Sequence, residues 1–171
     1  MKNVVLIGMP GSGKSTVGVV LAKVLGYRFI DSDLVIQEAE GKLLHEIISE
    51  RGIEGFLEVE NKINSELNPE RSVIATGGSV IYGKEAMEHL KEISTVVYLK
   101  LSYEAVKARL GNLVDRGVVL KDGMTLRDLY EERVPYYEKY ADITVDETGR
   151  DAGQTVDQLR EMLEDIYGLR T

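Results

Sequence analysis

The segment Gly8-Met9-Pro10-Gly11-Ser12-Gly13-Lys14-Ser15-Thr16 constrains this chain more than any other. It matches G-x-x-x-x-G-K-[ST], the phosphate-binding loop pattern, and its flanks agree with the motif's mechanics. Val4-Val5-Leu6-Ile7 just before it is a continuous apolar run suited to a buried strand. Val17, Val20, Leu21, Val24 and Leu25 after it recur at helical spacing. Strand, glycine loop and helix thus stand in the order that anion binding needs. The loop's N–H groups can close on a phosphate, and the helix N-terminus adds partial positive charge. Lys14 is placed to reach β- and γ-phosphates as a mobile point charge. The Ser15 hydroxyl can ligate Mg²⁺, and Thr16 can add a phosphate contact. The expected nucleotide-binding set is Gly11, Ser12, Gly13, Lys14, Ser15 and Thr16.

The 171 residues suit one domain with a substantial core. A net charge of −8 argues against non-specific nucleic-acid binding. With no cysteine, disulfides and thiolate metal sites are excluded. No apolar run approaches membrane-spanning length, so no membrane partner is expected. The first strand starts almost at Met1, which leaves no room for a secretory leader, and a cytoplasmic location is expected. His45 and His89 lack ligand spacing and read as surface or structural residues.

Tyr27-Arg28-Phe29-Ile30 reads as a short strand that ends at Asp31-Ser32-Asp33. Two acids one residue apart at a strand end can point into one cleft. One would serve Mg²⁺ and the other would accept a hydrogen bond from a substrate hydroxyl. The same pair also suits a helix N-cap. Residues 34–66 read as mostly helical, broken near Gly41 and Gly52. Their apolar stripes are Leu44, Ile47 and Ile48, then Phe56, Val59, Ile63 and Leu67. A third strand, Ser72 to Thr76, runs into Gly77-Gly78-Ser79, where glycines permit close backbone approach to a ligand. A short helix over 84–91 and a fourth strand over 95–99 follow. Ser102 is a candidate cap for the helix carrying Val106, Arg109 and Leu110.

Residues 111–123 have weak periodicity, contain Asp115 and Arg116, and read as a lid. Thr125 opens a further helix, followed by Arg133-Val134-Pro135-Tyr136-Tyr137. A last strand over 141–145 precedes a closing amphipathic helix with Val156, Leu159, Met162, Leu163 and Ile166. Strands alternating with helices imply an α/β fold with a parallel sheet covered on both faces. A ligand then belongs at the carboxyl ends of the strands. The glycine loop, Asp31/Asp33 and Gly77/Gly78 all fall there.

With these pieces in order, the chain resembles the shikimate kinase family from about Lys2 to Ile166. The matching residues are Gly8 to Gly18, Phe29-Ile30-Asp31-Ser32-Asp33, Gly52…Phe56…Glu60, Thr76-Gly77-Gly78, Arg116 and Arg133 to Tyr137. The resemblance implies a three-layer sandwich like that of nucleoside-monophosphate kinases. Its five parallel strands would run in the order 2-3-1-4-5, with substrate-binding helices over about 34–67 and a lid over about 111–124. It implies ATP and Mg²⁺, and γ-phosphoryl transfer to a small-molecule hydroxyl, converting shikimate to shikimate 3-phosphate in the family. By position, Ser15 and Asp31 would serve Mg²⁺. Asp33 would hold and help activate the acceptor hydroxyl. Gly77 and Gly78 would contact substrate through their backbone. Arg109 would lie against adenine, and Arg116 would be the lid arginine near the phosphates. Arg133 would bind the substrate carboxylate. The expected catalytic set is Lys14, Asp33 and Arg116, in a monomer.

The chain also departs from the family. Leu57 stands where the family has an arginine that binds the substrate carboxylate, although the Glu bracing that arginine remains as Glu60. Ser79 replaces a third glycine, and Arg116-Gly117 replaces Arg-Pro. A hydrogen bond to a charged group is worth about 1.5–3 kcal/mol, or roughly ten- to a hundred-fold in affinity. Two readings answer the loss. Another cation, such as Arg51 or Lys62, substitutes; or the acceptor is a different hydroxylated molecule carrying an ammonium group, such as homoserine. A nucleotide-dependent switch is the competing class, against which the acid pair and the lid both argue.

Overall fold

The computed structural model describes residues 1–110 and 121–169. Five strands form one sheet: β1 (Asn3–Ile7), β2 (Arg28–Asp31), β3 (Ser72–Ala75), β4 (Ser94–Lys100) and β5 (Ile143–Asp146). Their order is β2-β3-β1-β4-β5, and every neighbouring pair is parallel. The expected topology is therefore the observed one. Among the described residues, seven α-helices connect or flank the strands: α1 (Lys14–Leu25), α2 (Ser32–Glu40), α3 (Leu44–Glu66), α4 (Lys84–Ile93), α5 (Tyr103–Arg109), α6 (Leu126–Tyr140) and α7 (Ala152–Tyr167).

The continuous apolar run of β1 is buried throughout because both faces of the sheet are covered. Its side chains alternate between two cores. Val4 and Leu6 join Val73, Val97 and Leu99 beneath α1 and α7. Val5 and Ile7 join Ile74, Val96 and Tyr98 beneath α4, α5 and α6. A third cluster, Ile36, Ile47, Phe56 and Val59, holds α2 against α3. At about 25 cal/mol per Å² of apolar area, each such fully buried side chain contributes roughly 1.5–3 kcal/mol.

The breaks at Gly41 and Gly52 are real but unequal. Gly41 caps α2 in the left-handed conformation. Gly52, at φ 73° and ψ 177°, kinks α3 without ending it. This conformation is open to glycine and strained for other residues. The kink lets the second half of α3 carry Phe56 and Glu60 over the carboxyl ends of the strands.

Several element ends differ from expectation by one or two residues, and two differences have a visible cause. β5 begins at Ile143 because Ala141 still caps α6 and Asp142 bonds to Val96, its N–H donating at 2.8 Å and its Oδ2 accepting at 2.9 Å. The segment from Arg133 to Tyr137 lies inside α6, which continues through Pro135. Leu129, Arg133 and Tyr137 recur at i, i+4 on its buried face, and that packing outweighs the missing proline donor.

Candidate active site

The glycine loop joins β1 to α1, and its last glycine, Gly13, is the helix N-cap at φ 83°. A glycine cap has no side-chain oxygen, so the first-turn N–H groups have no side-chain acceptor of their own. An anion is the natural partner for such a terminus. Gly11, Gly13, Lys14, Ser15 and Thr16 line one wall of a cleft of about 330 Å³. Lys14 Nζ donates to the carbonyls of Gly8 and Met9, both at 2.8 Å, and to Ser12 Oγ at 3.3 Å. Burial pulls its pKa down to about 8, a shift opposed chiefly by Asp33. Ser12 is fully buried, and its N–H donates to the Met9 carbonyl. Its side chain therefore braces the loop instead of facing the cleft.

Arg109 ends α5 and reaches across the loop, donating from Nη1 to the Gly11 carbonyl at 3.2 Å. Its neighbour Leu110 lines the cleft. Arg116, and with it most of the expected lid, lies outside the described residues. One acid beside the loop escaped the sequence reading. Glu147, just after β5, is 4% exposed. Burial raises its pKa to about 7, with Arg109 and Lys14 pulling the other way. A single glutamate after a short strand carries no motif, so the sequence offered no signal for it.

Asp31 does both things its position allowed. Its Oδ1 accepts the Asp33 N–H at 2.9 Å and caps α2, while its Oδ2 accepts from the Ser15 hydroxyl at 3.4 Å. A hydroxyl beside a carboxylate is a hard-oxygen pair that fits Mg²⁺. Among the described residues no group of three or more His, Cys, Asp and Glu side chains could hold a metal. The remaining coordination would come from phosphate oxygens and water, as Mg²⁺ prefers.

The opposite wall is formed by Asp33, Phe56, Glu60, Thr76, Gly77, Gly78, Ser79 and Arg133. Asp33 Oδ1 is buried with no hydrogen-bond partner. Burial, reinforced by Asp31 and opposed by Lys14, raises its pKa to about 6. Glu60 is 2% exposed; its Oε1 accepts from Ser79 Oγ at 2.7 Å, and its Oε2 has no partner. Burial raises its pKa to about 7, although the Ser79 bond works against that shift.

Arg133 is 1% exposed, and its guanidinium lies 5.4 Å from the centre of the Tyr82 ring. A Cβ at Gly77 would lie 2.8 Å from Asp33 Oδ1 and 2.9 Å from Glu60 Oε2. One at Gly78 would lie 2.9 Å from Arg133 Nη1. The two glycines therefore let three charged side chains close on the cleft. Tyr137 fixes this strand end by donating to the Gly78 carbonyl at 2.6 Å.

Phe56 and Glu60, one turn apart on α3, face the cleft, whereas Leu57 points elsewhere. It lines a separate cavity of about 50 Å³ with Ile53, Tyr82, Met124 and Leu129. Neither cation suggested as a replacement reaches the site. Arg51 is paired with Glu40 at 2.8 Å, and Lys62 is exposed. Among the described residues, the cations lining the cleft are Lys14 and Arg133.

A phosphate cradle facing buried acids across one narrow cleft, on a 2-3-1-4-5 parallel sheet, is the arrangement of a P-loop kinase acting on a small molecule. Comparison with known proteins narrows the class. The shikimate kinase family model matches residues 10–164. The shikimate kinase of Clostridium botulinum is 44% identical over 144 residues, covering 81% of this chain and 84% of the relative. That of Persephonella marina is 36% identical over 160 residues, covering 93% and 97%. The structure of the Acinetobacter baumannii shikimate kinase in complex with shikimate superposes with a TM-score of 0.86 at 32% identity, covering 99% of this chain and 95% of that one. The chain belongs to the shikimate kinase family. It is accordingly a phosphotransferase that uses ATP with Mg²⁺ and acts on a hydroxyl group. Among the described residues, no helix is long and apolar enough to cross a membrane.

Proposed function

We propose that this chain transfers the γ-phosphoryl group of ATP to a hydroxyl of a small acceptor carrying a carboxylate. Shikimate, held by the Acinetobacter relative, is the reference acceptor. The observation that carries this reading is that the phosphate-loop Lys14, the buried acids Asp33 and Glu60 and the buried Arg133 line one cleft. The backbone of Gly11 and Gly13, with Thr16, cradles the phosphates, and Arg109 lies at the nucleotide's edge. Lys14 exchanges its loop carbonyls for β- and γ-phosphate oxygens. Ser15 and Asp31 would hold Mg²⁺, which when bound would supply positive charge against the phosphates. Arg133 takes the acceptor carboxylate, and the Gly77 and Gly78 backbone sets its depth. Asp33 accepts the hydroxyl hydrogen as that oxygen bonds to the γ-phosphorus and the bond to the β,γ-bridging oxygen breaks. The products are ADP and a phosphomonoester. Most of the acceleration comes from positioning and electrostatics.

On this reading the protein is a monomer forming a single domain, with Asp33 of α2 and Phe56 and Glu60 of α3 supporting those two helices as the acceptor-binding ones. A supply of ATP and a small soluble acceptor supports a cytoplasmic setting. The test is ADP release by the purified protein with ATP and Mg²⁺, across shikimate and a panel of other hydroxylated carboxylates. Acceptor-dependent release supports the reading. ATP binding with no release above background for any acceptor would favour a nucleotide-dependent switch.

A further inference from the structure

Two departures from the family pattern meet on Glu60. Leu57 leaves this carboxylate without the family arginine, so that Arg133 acts on it through its charge while Ser79 supplies a hydroxyl to its Oε1. The consequence is the orientation of the other oxygen. Glu60 Oε2 is buried, unpartnered and faces the cleft wall beside Gly77, converging there with the unpartnered Asp33 Oδ1. Two carboxylate oxygens closing on one buried point call for a group with several N–H donors and a positive charge. A single hydroxyl satisfies only one of them, and a pair of neighbouring hydroxyls satisfies both without matching their charge.

The cationic partner is placed next to this acid pair. Arg133 Nη1 approaches Gly78, and the acid pair approaches Gly77. Receptors for a negative and a positive group thus flank two consecutive residues, whose Cα atoms are about 3.8 Å apart. An α-amino acid carries its carboxylate and ammonium groups on one carbon, which suits that spacing. Counting Lys14 with the nucleotide, the acceptor end holds one arginine and two carboxylates among the described residues. That balance suits a zwitterion better than an anion.

We propose that the acceptor site is built for a small hydroxylated α-amino acid. Its carboxylate sits on Arg133, its ammonium group lies between Asp33 Oδ1 and Glu60 Oε2, and its side-chain hydroxyl points towards the phosphate loop, where the other Asp33 oxygen takes its hydrogen. Glu60 is then a specificity-determining residue that touches the acceptor, and Ser79 is its positioning residue. This rests on the kinase reading above and selects within it.

The test measures binding and turnover separately. Calorimetry on the full chain, with ADP and Mg²⁺ present, compares L-homoserine with 4-hydroxybutyrate, its counterpart without the ammonium group, and with shikimate. L-serine and L-threonine bracket the chain length. The expected result is that at least one of the three amino acids binds roughly tenfold or more tightly than both acid comparators. Glu60→Gln should erase that advantage while leaving the ATP dissociation constant unchanged and the chain folded by circular dichroism. Glu60→Asp should restore part of it.

No amino acid binding more tightly than both acid comparators, a preference for shikimate, or an unchanged ratio in Glu60→Gln would each overturn the inference. ADP release assays on the same samples keep the two readings apart. Preferential turnover of shikimate sinks this inference and leaves the kinase standing. No turnover of any acceptor removes the kinase as well.

Discussion

The Ser79 hydroxyl donates to Glu60 Oε1 at 2.7 Å and joins two positions that the family pattern treats as unrelated. Glycine at 79 and arginine at 57 would leave Glu60 paired to a cation. Serine at 79 and leucine at 57 leave it on a neutral donor, with its second oxygen turned to the cleft. Ser79→Ala removes the donor while Glu60 stays buried. The acceptor KM should rise about tenfold, in line with the loss of one hydrogen bond to a charged group, while the KM for ATP stays within about twofold. The acidic limb of the acceptor kcat/KM profile should move upward, because the Ser79 bond holds the Glu60 pKa down. An unchanged acceptor KM would make this bond merely structural.

Glu60 should also make the unliganded fold sensitive to pH in an unusual direction. Burial raises its pKa from 4.5 to about 7. Between those values the folded chain keeps a proton that the unfolded chain has already released. Stability from this group is therefore present at pH 4.5 and is lost as pH rises through about 7. A shift of this size corresponds to a cost on the order of 3 kcal/mol at pH 8. Glu60→Gln removes that cost, so its melting temperature should exceed that of the parent by roughly 5–10 °C at pH 8. At pH 5 the two should nearly coincide. Thermal melts at both pH values read this directly, and a variant less stable at pH 8 would contradict it.

Periodicity and punctuation made most of this fold legible before any coordinates. The run from Val4 to Ile7 gave a doubly covered strand, Ser102 and Thr125 gave the caps of α5 and α6, and Gly52 gave the kink in α3. The nucleotide side was legible for the same reason: a phosphate loop is contiguous in sequence. The acceptor side is assembled from α2, α3, the end of β3 and α6. The partnership of Glu60 with Ser79 and the convergence with Asp33 are tertiary facts that no local pattern encodes. Leu57 could be flagged as a departure, but its turn away from the cleft follows from the helical phase of α3 behind the kink.

Lys14 should control nucleotide binding through its charge. Its Nζ is held on the Gly8 and Met9 carbonyls, and burial lowers its pKa to about 8. Below that pH the ammonium form meets the phosphates; above it the free enzyme loses the charge. The kcat/KM for ATP should fall tenfold per pH unit above about 8, while the alkaline limb of kcat lies higher, because bound phosphates favour the ammonium form. Lys14→Ala should reduce nucleotide-dependent turnover to background. Initial rates from pH 6 to 10 at limiting and saturating ATP check both statements.

Gly77→Ala should damage the acceptor half alone. The new methyl would fall within 3 Å of Asp33 Oδ1 and Glu60 Oε2, so at least one carboxylate must move. The acceptor KM should rise more than about tenfold, and ATP affinity should be retained, since the atoms nearest that methyl belong to Asp33 and Glu60. Calorimetric titration of ATP and of acceptor on the same variant separates the two halves of the cleft.

In the proposed mechanism Asp33 takes the hydroxyl proton, and Asp33→Asn tests that with little change in shape. The backbone N–H of residue 33 still reaches Asp31 Oδ1, so the cap of α2 survives the substitution. An amide cannot take the hydroxyl proton, and general-base assistance of this kind is worth roughly 100- to 10,000-fold. The expected outcome is unchanged ATP affinity with kcat lowered at least a hundredfold. The parent's pH profile supplies an independent check. Burial and the Asp31 charge raise the Asp33 pKa to about 6, so parental kcat/KM for the acceptor should climb as pH rises through that value. Because Asp33 and Glu60 share the cleft, the limb belongs to the pair. The Asp33→Asn variant should lose the part of the limb that tracks kcat and keep any part that tracks acceptor affinity through Glu60. Full activity in Asp33→Asn would remove Asp33 from the chemistry and leave positioning by Lys14 and Arg133 to account for transfer.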